Sequence, residues 1–180
     1  NNPALLAKNK KTFAFHTGVG VGYRDNGVLD TVSQLDDLNF SDLVELAENT
    51  TISGSSFDDL TKNDLTKLNQ SKNIILGANN QSFNVAPTVD VAFAIKNFGF
   101  GIFANADVAG TSKVDQQYNR LIFENGGSYY ELNSDNSVTP LGTDSTDYES
   151  SSLIYAMDEG NENTGVQLDG LAVIEIPVAY

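Results

Sequence analysis

Large apolar side chains recur at every second position in four separate stretches of this chain. In TFAFHTGVGVGYR, Phe13, Phe15, Val19, Val21 and Tyr23 alternate with Ala14, His16, Gly18, Gly20, Gly22 and Arg24. In NVAPTVDVAFAIKN, Val85, Pro87, Val89, Val91, Phe93 and Ile95 hold the apolar positions. FGFGIFANADVAG places Phe98, Phe100, Ile102, Ala104, Ala106 and Val108 in the same way, and LDGLAVIEIPVAY does so with Ala172, Ile174, Ile176, Val178 and Tyr180. A period of two is the strand signature, because successive side chains point to opposite faces of a sheet. Each stretch has one greasy face, while the other is small or carries isolated charges. Glycine inside a strand sacrifices packing, so three in one face of the first strand predict close approach on that side.

Between these strands the period changes. Val32, Leu35 and Leu38 share one helical face, and SDLVELAEN carries Leu43, Val44, Leu46 and Ala47 behind Ser41 as the expected N-cap. A third helix is expected over FDDLTKNDLTKL, capped by Ser56 and ended by ILGANNQ, with Leu60, Leu65 and Leu68 on its apolar side. The stretch from Thr111 to Gly165 reads as a polar connection. Within it RLIFENGGSYYEL predicts a small hairpin around Asn125-Gly126. SDNSVTPLGTDSTDYESSS reads as loop. The organisation expected is a single domain, 1–180, with an acidic helical insertion at 28–81 and a long polar connection at 111–165.

Long, tight and long connections then alternate, with Lys96-Asn97 as the tight one. Outer-membrane barrels combine short turns on one side with long loops on the other, and their strands cross with about 9–11 residues. The fold class predicted is mainly β: part of an antiparallel outer-membrane-type β-barrel with a short α-helical insertion after the first strand. The start at NNPALL and the stop at IPVAY suggest a piece of a longer protein.

Charge sharpens this reading. The chain has 180 residues, no cysteine and a formal net charge of −14. That balance opposes binding to a phosphate backbone, so nucleic acid is not an expected partner. Nine acids stand against three lysines between Val28 and Asn80, and six acids against no base between Asp144 and Glu162. Acid therefore gathers on the connections, as solvated segments require. No apolar run reaches the 18 residues of a helical span.

The segment NNPALLAKNKKTFAFHTGVGVGY resembles the opening of barrels of the FadL-like long-chain fatty-acid transporter class. More closely it is similar to TraF-like conjugal transfer proteins, through Asn2, Pro3, Ala4, Leu5 and Leu6 leading into the first strand. The strand pair VAPTVDVAFAIKNFGFGIFANADV and the ending GLAVIEIPVAY add to the likeness. It implies a barrel with more strands than this chain supplies and, in the fatty-acid branch, diffusion of apolar molecules. No ligand-contacting residue transfers with it.

Candidate sites follow from facing. His16, Arg24, Asp90, Lys96, Asp107 and Glu175 fall on the small-residue side and are the candidate lumen-facing groups, either shaping a field or pairing with one another. The oxygen-rich run DEGNENTG makes Asp158, Glu159, Asn161 and Glu162 a calcium candidate without the EF-hand spacing. One histidine and no cysteine leave no nucleophile–base–acid set, so no catalytic residue, no enzyme activity and no cofactor is assigned. GVGVG lies within a strand, which argues against a nucleotide-binding turn. The expectation is a protein of the bacterial outer membrane, in contact with its lipid, that passes small apolar molecules. The alternatives are a structural or partner-binding barrel of an envelope assembly and a soluble secreted β-sandwich.

Overall fold

The computed structural model describes residues 13–54, 56–95, 98–157 and 164–179. Chain order runs β1 (Phe13–Asn26), α1 (Val28–Asp37), α2 (Phe40–Asn49), β2 (Ile52–Ser53), β3 (Ser56–Phe57), α3 (Lys62–Gly77) and β4 (Ser82–Ile95). It continues through β5 (Phe98–Lys113), β6 (Leu121–Asn125), β7 (Ser128–Leu132), β8 (Val138–Gly142), α4 (Thr146–Ser151), α5 (Leu153–Met157), β9 (Gly165–Glu175) and β10 (Val178–Ala179). The protein is mainly β with antiparallel sheets. It divides into two compact units: the first holds 1–25, 82–110 and 168–180, and the second holds 26–81 and 111–167.

The first unit is built on the long strands. Its sheet runs β1-β4-β5-β10, with β9 also paired to β5. No pairing joins β1 to β9 or β10 among the described residues, so the strand path is open there. Side-chain contacts fix the β1–β4 register. Positions a Cβ would take at Gly18, Gly20 and Gly22 meet Asp90, Thr88 and Ala86 in turn. One index rises as the other falls, which is antiparallel pairing. The same logic aligns β4 with β5, where Phe93 and Phe100 lie with ring centroids 5.3 Å apart and the Phe83 ring lies over Gly110. Val178 pairs with Phe100.

With this register the apolar positions of β1, β4, β5 and β10 share one face. That face is open: Val19 is 79% exposed and Phe15 60%, and Phe98 and Ile102 are also exposed. Isolated exposed apolar residues are ordinary, but a contiguous face of this extent marks a surface meant to be covered. β9 and the residue after it add Leu168, Ile174 and Ile176, also exposed, while Leu171 falls on the other face. Among the described residues no helix is long and apolar enough to cross a membrane.

The second unit has the protein's main described core. Phe40, Leu43 and Ala47 of α2 and Leu68 and Ile75 of α3 bury against Leu121, Phe123, Leu132 and Val138 of the small sheet β6-β7-β8. Leu153 and Ile154 of α5 join them. Phe57 meets Phe123 edge to face, centroids 5.6 Å apart at 80°. Buried and half-buried polar groups tie the same elements. Asn125 Nδ2 donates to the carbonyls of Ala47 and Thr50, closing the end of α2 at 3.1 and 2.8 Å. Asn69 Nδ2 donates to the Asn133 carbonyl at 2.8 Å, and Ser152 Oγ to that of Ile122 at 2.8 Å. Arg120 forks onto Glu131 at 2.6 and 2.8 Å and reaches Asp147 at 3.0 Å. The Glu131 hydrogen bonds, ahead of all else, push the guanidinium further toward its charged form.

Several sequence expectations for this region are corrected. Helix α2 starts at Phe40, not after Ser41, because burying Phe40 pulls the helix start forward, and Asn39 in the left-handed region (φ 54°) precedes it. Ser56 caps nothing: it lies in β3, whose next residue, Phe57, pairs with Ile52 and enters the core. The cap of α3 is Thr61, in a reciprocal box with Asp64. Leu46 is exposed, since Leu43 and Ala47 already fill the buried side of α2. Within the stretch read as loop, VTPLG forms strand β8. Val138 pairs with Leu132 and is buried, and Pro140 is tolerated because β8 is an edge strand. Asp144 accepts from the Thr146 N–H and hydroxyl and leads into α4.

Two predictions follow from the packing. Gly110→Ala puts a methyl where the Phe83 ring lies, and overpacking of this kind costs about 1–3 kcal/mol. Adding Phe83→Ala is expected to recover part of that loss, and a double-mutant cycle in urea measures the coupling. The second concerns Asp64, whose carboxyl is held below 3.8 by hydrogen bonds from the Thr61 hydroxyl and N–H. A depressed folded-state pKa contributes stability that is complete above 3.8 and is lost as pH falls through the lower folded value. Thr61→Ala is therefore expected to cost about 1 kcal/mol at neutral pH. The difference from wild type shrinks only in acid below 3.8, and urea melts at a series of pH values report it.

Candidate functional site

Two surfaces carry chemistry, one in each unit. On the small-residue face of the first unit, His16 Nε2 stands 2.7 Å from Asp90 Oδ2. Glycine makes the pairing possible: Asp90 folds over Gly18, in space that any larger residue would occupy. Beside it Thr88 Oγ1 lies 2.7 Å from the Cβ position of Gly20 and donates to the Gly20 carbonyl at 3.4 Å. Farther along, Asn84 Nδ2 donates to Asp107 Oδ1 at 2.5 Å. The β1–β4 register sets Arg24 opposite Asn84, so Arg24, Asn84 and Asp107 occupy one row across three strands. Glu175 is exposed at the end of β9.

The structure therefore brings His16 to Asp90, sets Arg24 and Asp107 in a second row, and leaves Glu175 outside both. Lys96 lies outside the described residues, as do Asp158, Glu159, Asn161 and Glu162. Among the described residues no group of three or more histidine, aspartate or glutamate side chains is placed to hold a metal. Hydrogen-bonded pairs of this kind can shape a local field and hold strands in register.

The second surface is not among the sites that the sequence pattern singles out. Along α2, Ser41, Val44, Glu45 and Glu48 succeed one another at helical spacing and line an open groove of about 320 Å³. Phe40, Ile154 and Met157 form its apolar floor, and Tyr148 closes one wall. A second groove of about 310 Å³ shares Phe40, Ser41 and Met157 and is flanked by Asp36 and Asp42. Among the described residues, every charged group lining the two is a carboxylate.

Tyr148 belongs to a run of rings. Its centroid is 5.1 Å from Tyr129 and 5.4 Å from Tyr155, which in turn lies 6.4 Å from Tyr118. Desolvation first, and then Glu124 and Glu149, hold the Tyr129 phenol above its usual pKa. This agrees with how charge is distributed. The second unit contains nineteen acids and five bases, the first unit five of each. The whole formal charge of −14 thus resides in the second unit. A sequence signal did exist: Tyr148, Ile154 and Met157 interrupt a polar run. The alternation of the strands nonetheless drew the reading to the other unit.

A family model described as F plasmid transfer operon, TraF, protein matches residues 1–180. No curated protein matches the chain. No solved structure matches it either.

Proposed function

Because the chain belongs to the F plasmid transfer operon TraF family, we propose that it is a wall segment of an outer-membrane β-barrel that carries a docking domain for an envelope assembly. The observation behind this reading is the open apolar face of the long strands, with Val19, Phe15, Ile102 and Ile174 exposed. Lipid is the natural cover for such a face. β1 and β4, at 14 residues each, exceed the roughly 9–11 that a tilted crossing needs. On the opposite side the strands carry glycine, alanine and the His16–Asp90 and Asn84–Asp107 pairs, the polar, small-residue composition of a barrel interior. In chain order one excursion of the second unit follows β1 and precedes β4, and the other follows β5 and precedes β9. Short turns on one side and elaborate connections on the other are the asymmetry of such barrels.

Passage of small apolar molecules is the less supported use of this wall. The face opposite the lipid-type surface carries the His16–Asp90 and Asn84–Asp107 pairs where an apolar path would need hydrocarbon. A folded acidic unit with open grooves fits partner binding better.

Val19→Arg separates these ideas from a soluble sandwich. A lipid-facing arginine near the midplane costs about 2–4 kcal/mol, so this variant is expected to lose heat-modifiable gel mobility and membrane retention. Leu46→Arg, on an exposed side of α2, is expected to keep both. Monodisperse wild-type protein without detergent, and equal behaviour of the two variants, would refute the barrel.

A further inference from the structure

The groove along α2 has a shape and a charge that name a class of partner. Ser41, Val44, Glu45 and Glu48 are positions i, i+3, i+4 and i+7 of one helix, so one helical stripe borders the groove, with Ser41 and Glu45 exposed and Val44 and Glu48 half-buried. A stripe of that kind packs best against another helix, whose side-chain ridges fit its grooves. The floor of Phe40, Ile154 and Met157 asks for apolar side chains. The rim supplies Glu45 and Glu48, with Asp36 and Asp42 around the adjoining groove, and among the described residues lining the two there is no lysine or arginine. Tyr148, backed by Tyr129 and Tyr155, presents an aromatic wall beside those carboxylates. Guanidinium groups combine the two requirements: they fork onto carboxylates and stack on aromatic faces. The surrounding unit, at −14, attracts cations from a distance.

We propose that this groove receives an arginine-bearing amphipathic helix of a partner protein. The proposal rests on reading the second unit as a docking domain, and names what docks there. Leucine-type side chains of the incoming helix cover Phe40, Val44 and Met157. Its arginines meet Glu45 and Glu48, and one stacks on Tyr148. A second copy of this chain is a poor occupant, because two units of −14 repel each other. An acidic or purely apolar segment meets the rim with repulsion or with uncompensated desolvation.

The absence of cysteine allows a clean test on the full chain in neutral detergent. An environment-sensitive dye is attached at Ser41→Cys, and in a control protein at Ser134→Cys, on an exposed turn. The probe is a synthetic peptide of about 18 residues with leucines at helical spacing and arginine elsewhere. Its partner peptide has glutamate in place of arginine. The arginine peptide is expected to shift the Ser41 dye saturably and the Ser134 dye little, and the glutamate peptide neither. Reversing the rim with Glu45→Lys and Glu48→Lys is expected to weaken binding about tenfold or more, and added salt to weaken it further. Met157→Ser, at an exposed floor position, is expected to weaken binding as well, whereas Glu124→Lys on β6 leaves it unchanged.

Several results would overturn the proposal. An equal loss from Glu124→Lys means diffuse attraction to an acidic surface. No loss from Met157→Ser means the floor is not used. Equal response of both dyes assigns the signal to the micelle. A shift that grows with protein concentration and needs no peptide assigns the groove to a second copy. The absence of any response also ends it. Equal behaviour of Val19→Arg and Leu46→Arg, which would refute the barrel, leaves these readouts intact, so the two readings fail separately.

Discussion

The edge-to-face contact of Phe57 with Phe123 joins two excursions of the chain that are marginal as separate domains. Each has fewer than sixty residues, a length at which a domain buries little of its surface and stability is hard to reach. Together they bury Leu68, Leu121, Phe123, Leu132 and Leu153 completely or nearly so. Around that contact Asn125 closes α2 and Asn69 fastens α3 to the turn after β7, each amide reaching from one excursion to the backbone of the other. The grooves exist because the core is satisfied without covering Ser41 and Glu45 of α2. Helix, sheet and aromatic run all inherit their positions from this junction.

The long strands were legible because the alternation that defines them is also what faces their environment. Val19 and Val89 announce both a strand and a side. Helices α1 to α3 were legible as periods, but their starts were not: Ser41 and Ser56 are good caps by composition, and the core chose Asn39 and Thr61 instead. What stayed hidden was the stretch after Leu132. Its serines, aspartates and glycine read as loop, yet Val138, Leu153 and Ile154 are buried there. A few apolar residues in a polar run carry no period, and only a surface supplied from elsewhere in the chain turns them into strand and helix. The lumen-facing candidates were found by the same alternation as the strands, so His16 and Asp90 came out as neighbours. The α2 groove needed residues from both excursions, and no local pattern assembles those.

Division of charge gives the two units different solution chemistry. The first is neutral overall and apolar on one face; the second has every unit of net charge. Such separation opposes self-association of the acidic unit, because like charges repel. It also concentrates any ionic-strength dependence in the second unit, because surface fields fall off within about 10 Å at ordinary salt. The pairs on the small-residue face are short-range and local, and respond little to the same change.

The junction between Phe57 and Phe123 also dictates an order of events. These residues are separated in the chain by α3, β4 and β5, and the core is incomplete until Leu153 and Ile154 have followed. A ribosome therefore releases β1, β4 and β5, with their apolar faces bare, before the second unit can close. Distant contacts of this kind are slow to form, since the loop must be gathered before any burial rewards it. During that interval the exposed strands are the segments most open to pairing with other chains. The architecture thus makes the nascent protein a natural client for a holding chaperone, and places its period of greatest need between the emergence of β1 and the arrival of α5.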